Sequence, residues 1–248
     1  MSKLAKGLFE IKGNQAVAPG CYLLSLEGDA SVVAASGQFV QLALPGRYLR
    51  RPISISDWSK DTITIIYKVV GRGTEQMKGM QAGEVLDILT GLGNGFSTDN
   101  DAKRPLLVGG GVGVPPMYNL CKRLLGEGKK PMVILGFNTA SEIFYAEKFE
   151  ALGAKVIIAT ADGSVGVKGF VTDAMVGVDY TYFYTCGPEP MLKAVYKATV
   201  TDGQFSFEER MGCGFGACMG CSCKTVTGNK RICKEGPVLT KEDIIWEA

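Results

Sequence analysis

The sequence predicts a multi-domain β plus α/β fold: an antiparallel β-barrel, then an open parallel-sheet α/β domain, then a small C-terminal metal module. Three observations carry this. Short β-rich runs separated by Gly, Pro, Asp or Ser fill residues 5–98, an even spacing that points to an antiparallel barrel or sandwich. After "STDNDAKRP", strand-like and helix-like runs alternate, which implies a parallel sheet with right-handed crossovers. Near the end, Cys213, Cys218, Cys221, Cys223 and Cys233 crowd into one short segment.

Taken in order, "CYLLSLEG", "GQFVQLAL", "ITIIYKVV" and "EVLDILTGLG" read as strands of the first domain. "GTEQMKGM" reads as a brief helix with Thr74 as its N-cap. In the second domain "PLLVGGGVG" is a buried strand ending in Gly. The helix that follows carries Met117, Leu120, Cys121 and Leu124 at helical spacing. "PMVILGF", "KVIIAT" and "YTYFYTCG" continue as strands, and "SEIFYAEKFEALG", "GFVTDAMVG" and "EPMLKAVYKATV" as helices. The expected boundaries are 1–99, 100–203 and 204–248.

Composition narrows the function classes. The 248 residues are 46% apolar and 21% charged, with a net charge of +2. No basic stripe is present, so the sequence argues against a nucleic-acid binder. The N-terminal segment lacks the apolar core of a signal peptide and no apolar run is long enough for a membrane span. A cytoplasmic protein with reduced thiols is expected. Histidine is absent. That removes His-ligated zinc, Rieske centres, haem with a proximal His and every His-based triad.

Several motifs carry chemistry. In "RRPISIS", Arg51 and Ser54 are placed to serve the two ends of a flavin, the guanidinium on a pyrophosphate and Ser54 near the reactive ring. Gly71, Gly73 and Thr74 lead into a short helix whose free N–H groups suit an anion. Both segments also have a purely structural reading, as a strand and as a Gly-rich turn. Two phosphate-competent features in one barrel favour a dinucleotide such as FAD. "GGGVGVPP" places Gly109, Gly110, Gly111 and Gly113 between a strand and a helix opened by Pro115 and Pro116. There a pyrophosphate could touch the main chain. Cys186, Gly187 and Pro188 end another strand of the same sheet, so Cys186 and the glycines could flank one nicotinamide; a buried apolar thiol is the other reading. Ser54 and Cys186 are the candidate catalytic residues. Asp162, Gly163 and Ser164 follow a further strand and are candidates for the same mouth.

The spacing Cys213-x4-Cys218-x2-Cys221, with a fourth Cys downstream, matches the plant-type [2Fe–2S] pattern. A four-cysteine zinc site is the alternative, but it usually shows two close pairs and only Cys218 and Cys221 make one. "SCKTVTGNKRIC" reads as a hairpin turning at Gly228-Asn229, which pairs Thr227 with Lys230 and Lys224 with Cys233. In that register Cys223 faces away from Cys233 and is the spare thiol.

Together "RRPISIS", "GRGT", "GGGVGVPP", "CGPEPM" and "EERMGCGFGACMGCSC" resemble, over nearly the whole chain, the electron-transfer subunits of class 1B dihydroorotate dehydrogenase. These are a branch of the ferredoxin reductase-like flavoproteins. The resemblance implies FAD held by Arg51, Pro52, Ile53, Ser54, Ile66, Tyr67, Lys68, Gly73 and Thr74, and NAD on the second domain. It implies a [2Fe–2S] cluster on Cys213, Cys218, Cys221 and Cys233. It also implies an FMN-containing catalytic subunit as partner, in a heterotetramer of two plus two. Two departures stand out: Ile53 occupies a position often Tyr in the wider superfamily, and Gly91 replaces the family's usual Pro before "LGNGF".

Hydride exchange between nicotinamide and flavin needs alignment rather than a protein base, which fits the missing histidines. With the resemblance, the expected relay runs partner FMN, [2Fe–2S], FAD, NAD. NAD is expected over NADP because "GFNTASEIFY" carries no Arg or Lys for a 2′-phosphate. Two rivals follow: a subunit of another reductase, of the NADH-dependent ferredoxin oxidoreductase or sulfide dehydrogenase type, and a zinc interaction module on a defunct flavin fold.

Overall fold

The computed structural model describes residues 4–246. Its first part is a closed barrel of six antiparallel strands: β1 (Ala5–Ala18), β2 (Cys21–Glu27), β3 (Phe39–Leu42), β4 (Arg51–Trp58), β5 (Thr62–Lys68) and β6 (Val85–Leu92). They close in the order β1-β2-β5-β4-β3-β6. Period-2 alternation builds its core. Leu24 and Leu26 of β2, Val40 and Leu42 of β3, and Ile63, Ile65 and Tyr67 of β5 all point inward and are buried. Their neighbours Leu23 and Ile66 point outward and are buried instead against the second domain.

Helix α1 (Arg72–Lys78) follows β5. Thr74 is not its N-cap, which is Gly71. It sits three residues further in, where its hydroxyl accepts the Val70 and Gly71 amides at 2.9 and 3.2 Å. The loop residue that precedes the helix is thus tied down from inside the first turn.

The second sheet contains β7 (Pro105–Gly110), β8 (Met132–Phe137), β9 (Lys155–Thr160), β10 (Val167–Lys168), β11 (Tyr182–Cys186), β12 (Gly203–Ser206) and a late strand. Helices α2 (Val114–Gly126), α3 (Ala146–Ala151), α4 (Val171–Ala174) and α5 (Glu189–Ala198) connect them. The hairpin β13 (Ser222–Thr225) and β14 (Gly228–Arg231) precedes the late strand, β15 (Val238–Thr240). The sheet order is β10-β9-β8-β7-β11-β12-β15, parallel except for β15. The chain moves outward from β7 through β8 and β9, then restarts on the other side at β11. The switch point between β7 and β11 is where such sheets bind ligands.

Two expected helices are shorter than their sequence pattern. "SEIFYAEKFEALG" yields one 3-10 turn and then α3, because Tyr145 adopts a left-handed backbone (φ 67°). Its ring packs edge-on to Tyr118 at 5.2 Å and its hydroxyl reaches Ser56 of the barrel at 3.5 Å. Tertiary packing overrides local propensity there. "GFVTDAMVG" yields only α4, capped where the Asp173 carboxylate accepts the Phe170 amide at 2.7 Å.

The domains are joined along α2 and β4. Asp57 accepts from Asn119 at 2.7 Å and from Lys122 at 2.8 Å, while Ser36 donates to Asn119 at 2.8 Å. The segment expected as a separate module from 204 begins inside the parallel sheet: β12 lies on β11, and β15 returns to lie on β12. The cysteine-bearing stretch is an excursion between them. Asn94, after β6, holds its return by accepting the Val238 amide at 3.1 Å and donating to the Val238 carbonyl at 2.7 Å. Gly91 has φ 68°, a backbone that Pro, locked near about −65°, cannot adopt.

Candidate cofactor sites

On the outer face of the barrel, β3 and β4 pair so that Phe39 lies opposite Ser54 and Gln41 opposite Pro52. Cross-strand partners project to the same side. At the start of β4, Arg51 lies directly over α1: a Cβ added to Gly73 would stand 2.1 Å from its Nε. Its guanidinium donates only to the Leu49 and Arg50 carbonyls, and no carboxylate among the described residues pairs with it. A cation unpaired by protein, resting on a glycine, fits a diphosphate. Arg47 reaches the same helix, donating to Gln76 at 3.1 Å and to the Arg72 carbonyl at 3.4 Å. Its fold-back from the β3–β4 loop left no sequence signal.

Pro52 and Ser54 are half-buried along this face, while Ile53, paired with Val40, packs towards the barrel core. Ile66 and Lys68 lie on the outer face of β5, but the Tyr67 side chain does not. Its hydroxyl donates to Asn14 at 3.0 Å inside the barrel, and burial pushes its pKa up to about 12. Tyr67 can serve a flavin only through its main chain.

At the switch point, Gly109 and Cys186 are register partners in adjacent parallel strands. The four glycines divide by what surrounds them. A Cβ on Gly113 would meet the Cys186 carbonyl oxygen at 2.2 Å, and one on Gly110 would meet Met191 Sδ of α5 at 2.3 Å. One on Gly109 would press on Val114 at 3.0 Å, and one on Gly187 on Met191 at 2.5 Å. These glycines let strands and helices close together. Gly111 alone of the four in the loop faces open space, with φ 52°, so a Cβ there would meet no neighbour. Pro188 caps α5. The Cys186 thiol is buried, and burial pushes it up to about 12. At the end of β11 it is a neutral thiol, not a thiolate.

Two strands away, Ser164 donates to Asp162 at 2.6 Å and accepts the Ala140 amide at 2.8 Å, so this turn orders the loop after β8. In that loop Glu142 accepts from the amide and side chain of Asn138 at 3.2 and 2.9 Å. A carboxylate fixed beyond the second strand suits a ribose hydroxyl, and the sequence reading passed over it.

The hairpin does not have the expected register. Thr225 pairs with Gly228, Lys224 with Asn229, Cys223 with Lys230 and Ser222 with Arg231, so the turn is Val226-Thr227 and Cys233 lies beyond the ladder. The turn slips because contacts from outside hold the ladder: Lys230 pairs with Asp243 at 2.6 Å, the Val226 amide donates to the Asp243 carbonyl at 3.0 Å and Thr225 bridges to Ile244. The argument from that register for Cys223 as the spare falls with it.

The thiols stand as two pairs. Cys213 Sγ accepts the Ala217 and Cys218 amides at 3.2 and 3.4 Å. Burial opposes its ionisation, but amides of Cys218 and Phe215 and the Cys218 side chain bring it down to about 6. Cys221 Sγ accepts the Cys233 amide at 3.4 Å. Burial, then its contact with Cys221 and the nearby Cys213, push Cys233 up to about 12. Arg231 clamps the pairs together, donating to the Gly216 carbonyl at 2.7 Å while pairing with Glu235. Among the described residues no three Cys, Asp or Glu side chains converge on one point as ligands of a single metal ion. Two thiols per iron is the demand of a two-iron cluster, and amide donors on a ligand sulfur belong to the same chemistry. Cys223 belongs to neither pair: with Phe207, Thr225, Leu239, Ile244 and Trp246 it lines a cavity of about 130 Å³.

Known proteins match this chain in sequence and in fold. Residues 208–245 match the iron–sulfur cluster binding domain of dihydroorotate dehydrogenase B, and residues 107–197 the oxidoreductase NAD-binding domain. The dihydroorotate dehydrogenase B (NAD+) electron transfer subunit of Fusobacterium nucleatum is 40% identical over 250 residues, covering 94% of this chain and 96% of that protein. The subunit of the same name from Bacillus pumilus is 40% identical over 256 residues, covering 97% and 98%. Among solved structures, an NADH-dependent reduced ferredoxin-NADP oxidoreductase aligns with a TM-score of 0.89 and 27% identity, over 99% of this chain and 92% of that one. Phthalate dioxygenase reductase shares the fold at a TM-score of 0.64 and 22% identity, over 77% and 63%. With its barrel, switch-point mouth and paired thiols joined in one chain, this protein belongs to the family of dihydroorotate dehydrogenase B (NAD+) electron transfer subunits.

Proposed function

We propose that this chain relays electrons from dihydroorotate, oxidised on a partner subunit, through a [2Fe–2S] cluster and FAD to NAD+. It is an NAD-dependent oxidoreductase subunit of pyrimidine biosynthesis, and its cofactors are FAD, NAD and the cluster. One observation carries the reading. The flavin motif on β4 and the cysteine loop share one face of the barrel, since Ser54 and Pro52 stand opposite Phe39 and Gln41 on β3. Phe39 packs in the cluster of buried side chains that contains Cys221 and Cys233, and Gly214 of the loop rests on Gln41. Neighbouring strands lie about 4.8 Å apart, so the two sites are adjacent.

Bound FAD supplies hydride exchange with nicotinamide and single-electron exchange with the cluster. The chain's own residues position and exclude. Arg51, with Gly73 and Thr74, holds the diphosphate of FAD. Pro52, Ile53 and Ser54, with Ile66, Lys68 and the Tyr67 main chain, bed the ring. Gly111 admits the NAD pyrophosphate, Gly109, Gly110, Gly113, Gly187 and Pro188 shape its mouth, and neutral Cys186 keeps water from the nicotinamide. Ser54 and Cys186 are the residues proposed to touch the reacting rings. Cys213, Cys218, Cys221 and Cys233 hold the cluster, and Cys223, in its separate cavity, is the spare. No side chain here needs to take up a proton from dihydroorotate; that base belongs to the partner.

The functional units are residues 1–99 for FAD, 100–203 for NAD and the cysteine-bearing excursion after 204 for the cluster. The partner is an FMN-containing catalytic subunit in a two-plus-two heterotetramer. Reduced cluster thiols suit a cytoplasmic setting, and no helix among the described residues is long and apolar enough to cross a membrane. The test is purification with a candidate FMN subunit, followed by assay of dihydroorotate-dependent NAD+ reduction. Activity with a ferredoxin or sulfide instead of dihydroorotate would favour the other reductase types, and a spectrum holding only flavin bands would refute the cluster.

A further inference from the structure

Among the described residues, Gln41 is the one that is fully buried with both side-chain polar atoms orphaned. It is 0% exposed, and neither Nε2 nor Oε1 has a hydrogen-bond partner among the described residues. Burying an unpartnered amide is costly, so such a group calls for an explanation. Leu or Met would fill a β3 position between Phe39 and the next strand without that cost.

Its surroundings point one way. Val40 and Leu42 face the barrel core, which leaves Gln41 and Phe39 on the outer face. The amide end of Gln41 is pressed onto Gly214, the residue after Cys213: a Cβ there would lie 1.9 Å from Nε2. Gly214 has φ 79°, so the loop combines a left-handed turn with an absent side chain at the point where the amide arrives. Across the ladder, Gln41 is paired with Pro52 of the flavin motif. The side chain thus stands between the strand of the flavin motif and the cysteine loop, with two donors and no acceptor for them among the described residues.

We propose that Gln41 is a positioning residue of the iron–sulfur centre, its Nε2–H groups satisfied by sulfur of the loaded cluster. This rests on the cluster reading above. Hydrogen bonds to cluster sulfurs stabilise the more negative, reduced form and so raise the reduction potential. Gln41 would therefore set how readily the cluster accepts an electron on its way to the flavin.

The test compares loaded and cluster-free protein for the wild type, Gln41→Met and Gln41→Glu. Redox titration followed by electron paramagnetic resonance reads the cluster, and thermal unfolding reads the fold. Cluster-free Gln41→Met should be as stable as wild type or more so, because two orphaned polar atoms are gone. Loaded Gln41→Met should reduce about tenfold less favourably, which for a one-electron couple is about 59 mV, with altered g-values. Gln41→Glu, which loses the donors and adds a negative charge, should shift further in the same direction. An unmoved potential and spectrum in Gln41→Met would overturn the inference, as would a shift confined to the flavin. Absence of cluster bands in the wild type would instead refute the cluster reading, and this inference with it.

Discussion

Replacing Gly73 with Ala tests the diphosphate site through a single methyl group. Gly73 is inside the first turn of α1 and does not have a left-handed backbone, so Ala is allowed there conformationally. The added Cβ would lie 2.1 Å from Arg51 Nε and 2.8 Å from Cζ and Nη2. The guanidinium has to move, and it is the group proposed to grip the phosphates. Hydrogen bonds to charged groups contribute about 1.5–3 kcal/mol. Losing them should weaken FAD binding by roughly 10- to 150-fold at about 1.4 kcal/mol per decade. Stability should fall by about 0–2 kcal/mol, because a helical Gly→Ala gain of up to about 1 kcal/mol offsets part of an overpacking cost of about 1–3 kcal/mol. Titration of the FAD-free protein with FAD, read by flavin fluorescence, measures the first effect and thermal unfolding the second. A double-mutant cycle with Arg51→Met assigns the cause: if Gly73→Ala acts through Arg51, the two losses should not add. FAD affinity within twofold of wild type, or full additivity, would refute the placement of Arg51 on the diphosphate.

Cys223→Ser should retain the iron content and visible spectrum of the wild type while Cys221→Ser loses them; the opposite result would put the spare thiol elsewhere. Gly113→Ala drives a methyl to 2.2 Å from the Cys186 carbonyl oxygen. It should cost about 1–3 kcal/mol and lower Tm by roughly 2–12 °C, whereas Gly111→Ala, which faces open space, should cost only its left-handed backbone, about 1–2 kcal/mol. Asp87 bonds Arg50 at 2.8 Å and Lys6 at 3.1 Å; burial opposes its ionisation, but these partners hold its carboxyl below the usual range. Its contribution is therefore present above the unfolded pKa of about 3.9 and lost as pH falls through the lower folded value. Asp87→Asn should destabilise by about 0.5–1 kcal/mol at pH 7, with the deficit shrinking as pH falls below about 3.9; a deficit in urea unfolding that stays constant throughout the acid range would refute this.

Much of the architecture was legible because it depends on local periodicity. The barrel strands alternate apolar and polar positions, and α2 carries Met117, Leu120, Cys121 and Leu124 on one stripe, all of them buried. The opening turn of α2 and the Cys186 strand end were also legible, since Gly and Pro act through their own backbone geometry. What escaped was set by contacts between distant segments. The hairpin turned at Val226-Thr227 because Thr225, Val226 and Lys230 found partners at Asp243 and Ile244. The helix expected from Ser141 was broken at Tyr145 by rings and a hydroxyl supplied from α2 and β4.

By itself the sequence determined the order of barrel, parallel sheet and cysteine loop, the absence of imidazole chemistry and the thiols available to a cluster, since these follow from residue type and spacing. Only the tertiary structure decided which glycines pack and which one faces open space, that Tyr67 turns inward, and that the last strands return to the parallel sheet. It alone set the cysteine loop against β3, leaving Gln41 without a partner. Those outcomes depend on which side chains meet across long stretches of chain, and the free energy of such meetings is written in no single segment.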